Sequence, residues 1–177
     1  MRILVIGAGA LGGYFGGCLV RAGRDVTFQV RPHRAAQLAR DGLRIVSPHG
    51  DFTVPAATVL AGATREPFDL VLVGVKSYSL DEAMDQFASA VGPDTAILPI
   101  LNGMGHIDRL AAKFGAARVL GGMANISAGL DGVSNDNANQ NSLKEAAGVV
   151  SADRGEETLP CDLAEFGGQI DDRHHHR

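Results

Sequence analysis

Residues 2–13 read Arg-Ile-Leu-Val-Ile-Gly-Ala-Gly-Ala-Leu-Gly-Gly, and this stretch decides the fold. Ile3–Ile6 is an apolar run too short for a helix and rich in β-branched residues, so it predicts a buried strand. It runs directly into Gly7-Ala8-Gly9-Ala10-Leu11-Gly12, a G-x-G-x-x-G. Leu11–Ala22 then carries the pattern of a helix. The string alone is weak, because Gly is abundant at 23 of 177 residues. Its place between a strand and a helix gives it weight. In that setting Gly7 permits the tight turn, Gly9 lets backbone approach a pyrophosphate, and Gly12 lets the helix lie close to the sheet. The free N–H groups and dipole at the helix start favour the same anion. The competing reading is a glycine-rich turn that binds no nucleotide.

The same region imitates a membrane span. Ile3 to Val20 is uncharged for 18 residues, six of them Gly, which reaches the lower bound for a spanning helix. No small-residue cleavage site closes an apolar segment, and a buried strand followed by a buried helix explains the run.

Moving outward, Asp25–Arg31 predicts a second strand and Pro32 opens a helix over Arg34–Arg40. Leu43–Ser47 and Phe52–Pro55, joined by His49-Gly50-Asp51, predict a hairpin. Leu70–Val75 is an apolar strand, followed by a helix over Leu80–Val91. Thr95–Leu101 is another such strand, followed by a helix over Ile107–Phe114, and Val119–Ile126 predicts one more strand. Apolar strands alternating with helices specify an α/β, doubly wound, Rossmann-type and mostly parallel sheet with helices on both faces.

Residues 1–132 carry 12 Lys/Arg against 11 Asp/Glu, whereas residues 133–177 carry 4 against 9. Ser134–Ser142 reads SNDNANQNS, too polar to build a core. Leu143–Val150 suits either a short helix or a strand, and the remainder has no sustained period. The expected organisation is a nucleotide-binding domain over 1–132 and an irregular polar tail over 133–177. The net charge of −4 argues against nucleic acid and anionic membrane as partners. Cys18 and Cys161 fit neither a disulfide framework nor a zinc pattern, and no other metal spacing is present. A reducing, cytoplasmic setting follows as the default.

An acid at the end of the second strand would bond the ribose 2′-hydroxyl of NAD. This chain has Arg31 there, with Arg34 one turn later. A planar guanidinium fork suits the 2′-phosphate of NADP; the competing reading of Arg31 is a solvated surface residue. Two further strand ends carry polar residues to the carboxyl edge. One delivers Lys76, Ser77 and Tyr78, and the other delivers Asn102-Gly103-Met104-Gly105. Each alone could be a solvated strand end or an ordinary turn. Their convergence with the Gly7–Gly12 loop favours a site. His106 is the only histidine beside it; a polar helix-start role competes there, and packing competes for Tyr78.

GAGALGG at 7–13, Arg31, VKSY at 75–78, LNGMG at 101–105 and VLGGMANISAGL at 119–130 together resemble the ketopantoate reductase (2-dehydropantoate 2-reductase) family. The resemblance covers about residues 1–132. It implies NADPH-dependent reduction of a small-molecule 2-keto acid, 2-dehydropantoate, to (R)-pantoate on the way to pantothenate and coenzyme A. It further implies that Gly7, Ala8, Gly9, Ala10, Leu11 and Gly12 cradle the pyrophosphate and that Arg31 meets the 2′-phosphate. Lys76 then contacts the cofactor, Asn102 reaches both cofactor and substrate, and Ala128 makes a backbone contact near the cofactor. The family continues into a helical second domain bearing a catalytic lysine beside a Trp, and full-length members are possible homodimers. Here there is no Trp, the only lysines are Lys76, Lys113 and Lys144, and Lys144 lacks the surrounding pattern. The expectation is therefore the cofactor-binding half without a catalytic residue. A non-catalytic NADP-binding module, or a truncated or frameshifted fragment, is the alternative.

Overall fold

A computed structural model describes residues 1–47 and 50–125, together with the strand backbone at 129–130, 143–144 and 149–151. The chain begins with β1 (Arg2–Ile6), α1 (Ala10–Arg21), β2 (Asp25–Val30) and α2 (Pro32–Asp41). It continues with β3 (Leu43–Ile45), β4 (Phe52–Val54), β5 (Ala57–Leu60) and β6 (Leu70–Val73). A 3-10 turn over Ser77–Ser79 leads into α3 (Leu80–Phe87), followed by β7 (Ala96–Pro99) and α4 (Gly105–Phe114). Last come β8 (Met123–Asn125), β9 (Gly129–Leu130), β10 (Leu143–Lys144) and β11 (Val149–Ser151).

Five strands form one sheet in the order β5-β2-β1-β6-β7, and all four pairings are parallel. This is the doubly wound arrangement expected from the alternation of apolar strands and helices. Strand residues alternate between faces, as period 2 requires. Ile3, Val5, Val26, Phe28, Leu70 and Leu72 pack with Tyr14 and Phe15 of α1, Leu38 of α2, and Leu43 and Ile45 of the hairpin. Leu4, Ile6, Val71, Val73 and Ile97 pack on the other face with Leu80, Met84 and Phe87 of α3 and Leu110 of α4.

The β3–β4 hairpin is antiparallel as expected, while Pro48 and His49 of its turn lie outside the described residues. Two boundaries differ from expectation. The helix expected over Leu80–Val91 is α-helical to Phe87 and tightens to a 3-10 turn over Ala88–Ala90. The strand expected over Val119–Ile126 divides at Gly121-Gly122: Val119 bridges Ile97 in parallel, and β8 pairs antiparallel with β11. Over Leu143–Val150, where either a short helix or a strand was open, the structure has strands: β10 pairs with β9 and β11 with β8. β5 was not anticipated at all.

The helix α1 lies unusually close to the sheet. A Cβ placed on Gly12 would fall 2.1 Å from the Gly7 carbonyl oxygen, and one on Gly74 would fall 2.9 Å from the Gly12 nitrogen. Five residues on, a Cβ on Gly17 would meet only side-chain atoms closely, the Ile45 Cδ1 tip at 2.2 Å and the Leu43 Cδ2 tip at 3.2 Å. Backbone cannot yield as a side-chain tip can. Gly12→Ala should therefore show an overpacking loss of about 1–3 kcal/mol, only partly offset by the roughly 1 kcal/mol that Ala gains in a helix. Gly17→Ala should cost at least about 1 kcal/mol less. Urea unfolding midpoints of the two variants check this, and equal losses would refute the backbone contact as the limiting one.

Candidate functional site

The parallel register levels the strand ends at one edge. Ile6 pairs with Gln29 on one side and with Val73 on the other, and Val73 pairs with Pro99. Adjacent strands run about 4.8 Å apart, so the segments after these residues emerge side by side. Chain order reverses at β1, with β2 and β5 on one flank and β6 and β7 on the other. That is the switch point at which open α/β sheets bind ligands.

The glycine loop occupies this point. Gly7 has φ +86°, a left-handed conformation open to glycine, and its N–H donates to the Gln29 carbonyl at 3.0 Å. Gly9 caps α1 with extended backbone, and its carbonyl accepts from the Gly13 N–H at 2.7 Å. The first turn of α1 holds no acidic residue and no side-chain cap. Its leading N–H groups thus have no intrahelical acceptor and form the positive end of the helix dipole. A Cβ on Gly9 would meet nothing within 4 Å, whereas one on Gly12 would strike backbone. Donors, dipole and open space together fit a dinucleotide pyrophosphate.

Arg31 caps α2 ahead of Pro32. Its side chain is 77% exposed, and its Nη2 lies 3.9 Å from Glu82 Oε2 on α3. An exposed pair at that distance is worth little, so the guanidinium remains available to an anion. Arg34 is half-buried: its Nη2 donates to the Ala8 carbonyl at 2.9 Å and its Nη1 to Gln37 Oε1 at 2.8 Å. Burial lowers its pKa from the ordinary arginine value.

Lys76 is exposed at the start of the 3-10 turn, where its carbonyl accepts from the Ser79 N–H at 2.9 Å. Asn102 is exposed in the loop between β7 and α4, beside Gly103 at φ +85°. Each stands three residues past a register pair, Val73 and Pro99, so the structure brings them to the same edge as Gly7–Gly12. Ala128 lies outside the described residues. Among the described residues, no group of His, Cys, Asp and Glu could hold a metal ion, and no helix is long and apolar enough to cross a membrane.

Tyr78 is 82% exposed and Met104 76% exposed, so packing does not explain Tyr78. His106, in the first turn of α4, is buried rather than a polar helix-start residue. Its Nε2 has no hydrogen-bond partner among the described residues, and burial lowers its pKa. Sequence reasoning also missed Arg109. Its Nε donates to Asp81 Oδ1 at 3.1 Å and its Nη1 reaches the Ser77 carbonyl at 3.5 Å. Lys113 pairs with Asp85 one turn further on. These contacts tie α4, which follows the Asn102 loop, to α3, which follows Lys76.

The family described as Ketopantoate reductase PanE/ApbA matches residues 3–148. An uncharacterized oxidoreductase of Bacillus subtilis is 41% identical over 131 residues, covering 74% of this chain and 43% of that protein. The 2-dehydropantoate 2-reductase of Aquifex aeolicus is 30% identical over 122 residues, covering 68% of this chain and 37% of that one. The chain thus spans about two fifths of the length of these relatives. The crystal structure of a 2-dehydropantoate 2-reductase from Geobacter metallireducens superposes with a TM-score of 0.74 at 32% identity, covering 97% of this chain and 55% of that one. A D-mandelate dehydrogenase with NADH and anilino(oxo)acetate superposes at 0.76 but 21% identity, covering 97% of this chain and 54% of that one, which is a likeness of fold.

The buried imidazole has a consequence for pH. The folded state disfavours protonated His106, so below about pH 6.5 the unfolded chain binds the extra proton. Stability contributed by His106 is present above that pH and is lost as pH falls through its lowered folded value. Urea midpoints measured from about pH 7 to pH 5 should decline for the wild type. The decline should be visibly shallower for His106→Phe, and an unchanged slope in the variant would refute the assignment.

Proposed function

The chain belongs to the ketopantoate reductase family, and on that premise we propose that it forms the NADPH-binding half of a reductase converting 2-dehydropantoate to (R)-pantoate in the cytoplasm. The observation that carries this reading is the meeting, at one sheet edge, of the Gly7–Gly12 loop, Arg31, Lys76 and Asn102. Within it, the loop from Gly7 through Ala8, Gly9, Ala10 and Leu11 to Gly12 receives the pyrophosphate on backbone N–H groups. Arg31 closes on the 2′-phosphate. Lys76 presents an ammonium to the nicotinamide side, and Asn102 presents an amide that can orient both carboxamide and keto oxygen. When bound, the nicotinamide supplies the hydride that reduces the keto carbon. None of these residues is assigned as the acid that protonates the resulting alkoxide. Ala128 takes its backbone contact only from the family pattern.

The choice of NADPH over NADH rests on Arg31. A charge-assisted hydrogen bond contributes about 1.5–3 kcal/mol, but so exposed a side chain holds it at the lower end, a preference of about tenfold. Fluorescence titration of the wild type with both cofactors should show that preference, and Arg31→Ala should erase it while sparing NADH. Equal affinities in the wild type would refute the NADPH assignment. Gly9→Val should abolish binding of both cofactors with the circular dichroism spectrum unchanged, because the open space at Gly9 would be filled.

A further inference from the structure

We propose that the two arginines after β2 divide the recognition of the dinucleotide: Arg31 reads the 2′-phosphate, and Arg34 is a positioning residue that aims the pyrophosphate loop. The proposal deepens the dinucleotide reading and rests on it. Arg34 stands in the first turn of α2, yet its guanidinium reaches back to the loop after β1, with Nη2 donating to the Ala8 carbonyl at 2.9 Å. Gln37, one turn along the same helix, accepts from Nη1 at 2.8 Å. Two acceptors in fixed positions set the plane of the fork.

The covalent geometry of the loop turns that anchor into aim. The Ala8–Gly9 peptide is trans, so its carbonyl and N–H point in opposite directions within one rigid plane. Holding the Ala8 oxygen toward α2 therefore turns the Gly9 N–H away from α2. The Ile6–Gly7 peptide, one step further back, is held separately, by the Gly7 N–H bond to the Gln29 carbonyl at 3.0 Å. The following residue begins α1, whose first turn is pinned by Gly12 against the Gly7 carbonyl. Ala8 is 4% exposed, so the segment has little room for another path. Arg34 fixes the peptide between these two anchors. Arg31 differs on every point, being 77% exposed with its nearest carboxylate oxygen, on Glu82, at 3.9 Å.

The division of labour predicts two signatures. Arg34→Met should weaken NADPH and NADH by the same factor, about tenfold, leaving their ratio at the wild-type value. Arg31→Ala should change the ratio alone. Arg34→Lys keeps the charge but not the fork, and should recover less than half of the lost affinity. Amide NMR of the free chain should show the Gly9 and Ala10 resonances displaced in Arg34→Met, with the β6 and β7 resonances unmoved. A general loss of stability would shift all of these together. Loss of NADPH affinity alone in Arg34→Met would make Arg34 a second phosphate ligand and overturn the proposal. Recovery of more than half by lysine, or unmoved Gly9 and Ala10 resonances, would overturn it as well. A wild type that binds neither cofactor would overturn the dinucleotide reading itself, whereas a wild type that binds both beside unaffected Arg34 variants would overturn the role of Arg34 alone.

Discussion

The approach of α1 to the central strand, backbone against backbone, is the constraint from which the site follows. Gly12 leaves no room for a side chain above the Gly7 carbonyl, and Gly74 at the end of β6 packs on Gly12 in turn. These contacts draw the first turn of α1 down onto the gap between β1 and β6. A helix standing farther off would bury Tyr14, Phe15 and Leu19 less well on the face that Ile3, Val5 and Phe28 share. The requirement that places the core side chains thus also places an uncapped helix N-terminus at the switch point of the sheet. Close packing and a row of free amide donors come from one geometry.

The second half of the edge depends on a different kind of contact. Lys76 and Asn102 sit on turns after β6 and β7, and turns of that kind are set by the helices that follow them. Those helices, α3 and α4, share the apolar cluster of Leu80, Met84, Phe87 and Leu110, and Phe87 stacks on Phe114 with centroids 5.2 Å apart. Outside that cluster, Arg109–Asp81 and Lys113–Asp85 repeat one turn apart along both helices. The Arg109 hydrogen bond holds the Asp81 carboxyl below the usual carboxylate range. Such exposed pairs add little to stability. Their value is positional, because Arg109 also reaches the Ser77 carbonyl beside Lys76.

What was legible in the sequence follows the same physics. β1, β6 and β7 are buried on both faces, so they appear as unbroken apolar runs, and the glycine spacing between β1 and α1 has few other uses. β5 was illegible because it is an edge strand: Ala57–Leu60 is only partly buried, and its two ends are exposed. The break at Gly121-Gly122 was hidden in an apolar stretch, although a Cβ on Gly122 would come within 2.8 Å of the Pro99 carbonyl oxygen. Arg31 could be placed from its distance along the chain. Arg34 and Arg109 could not, since each acts through an acceptor 26 or 32 residues away. The burial of His106 likewise depends on how α4 packs, which a single polar letter after Met104-Gly105 does not disclose.

The two ends of the proposed cofactor site therefore differ in how much order they bring to binding. The pyrophosphate loop is set before any ligand arrives, by the Gly7 bond to Gln29, the Gly12 contact and the Arg34 bond to Ala8. Groups already in place cost no ordering entropy on binding, so their interaction appears as affinity. Arg31 must instead give up a loose partner and settle an exposed side chain, at a cost of up to about 2 kcal/mol in rotamer freedom. That cost is of the same order as the bond it would make to a phosphate. On this reading, affinity for the dinucleotide belongs to the loop held in place, and selection of the phosphorylated ribose is a smaller increment added by an exposed arginine. A graded preference for NADPH, with NADH still admitted, is what such a division produces.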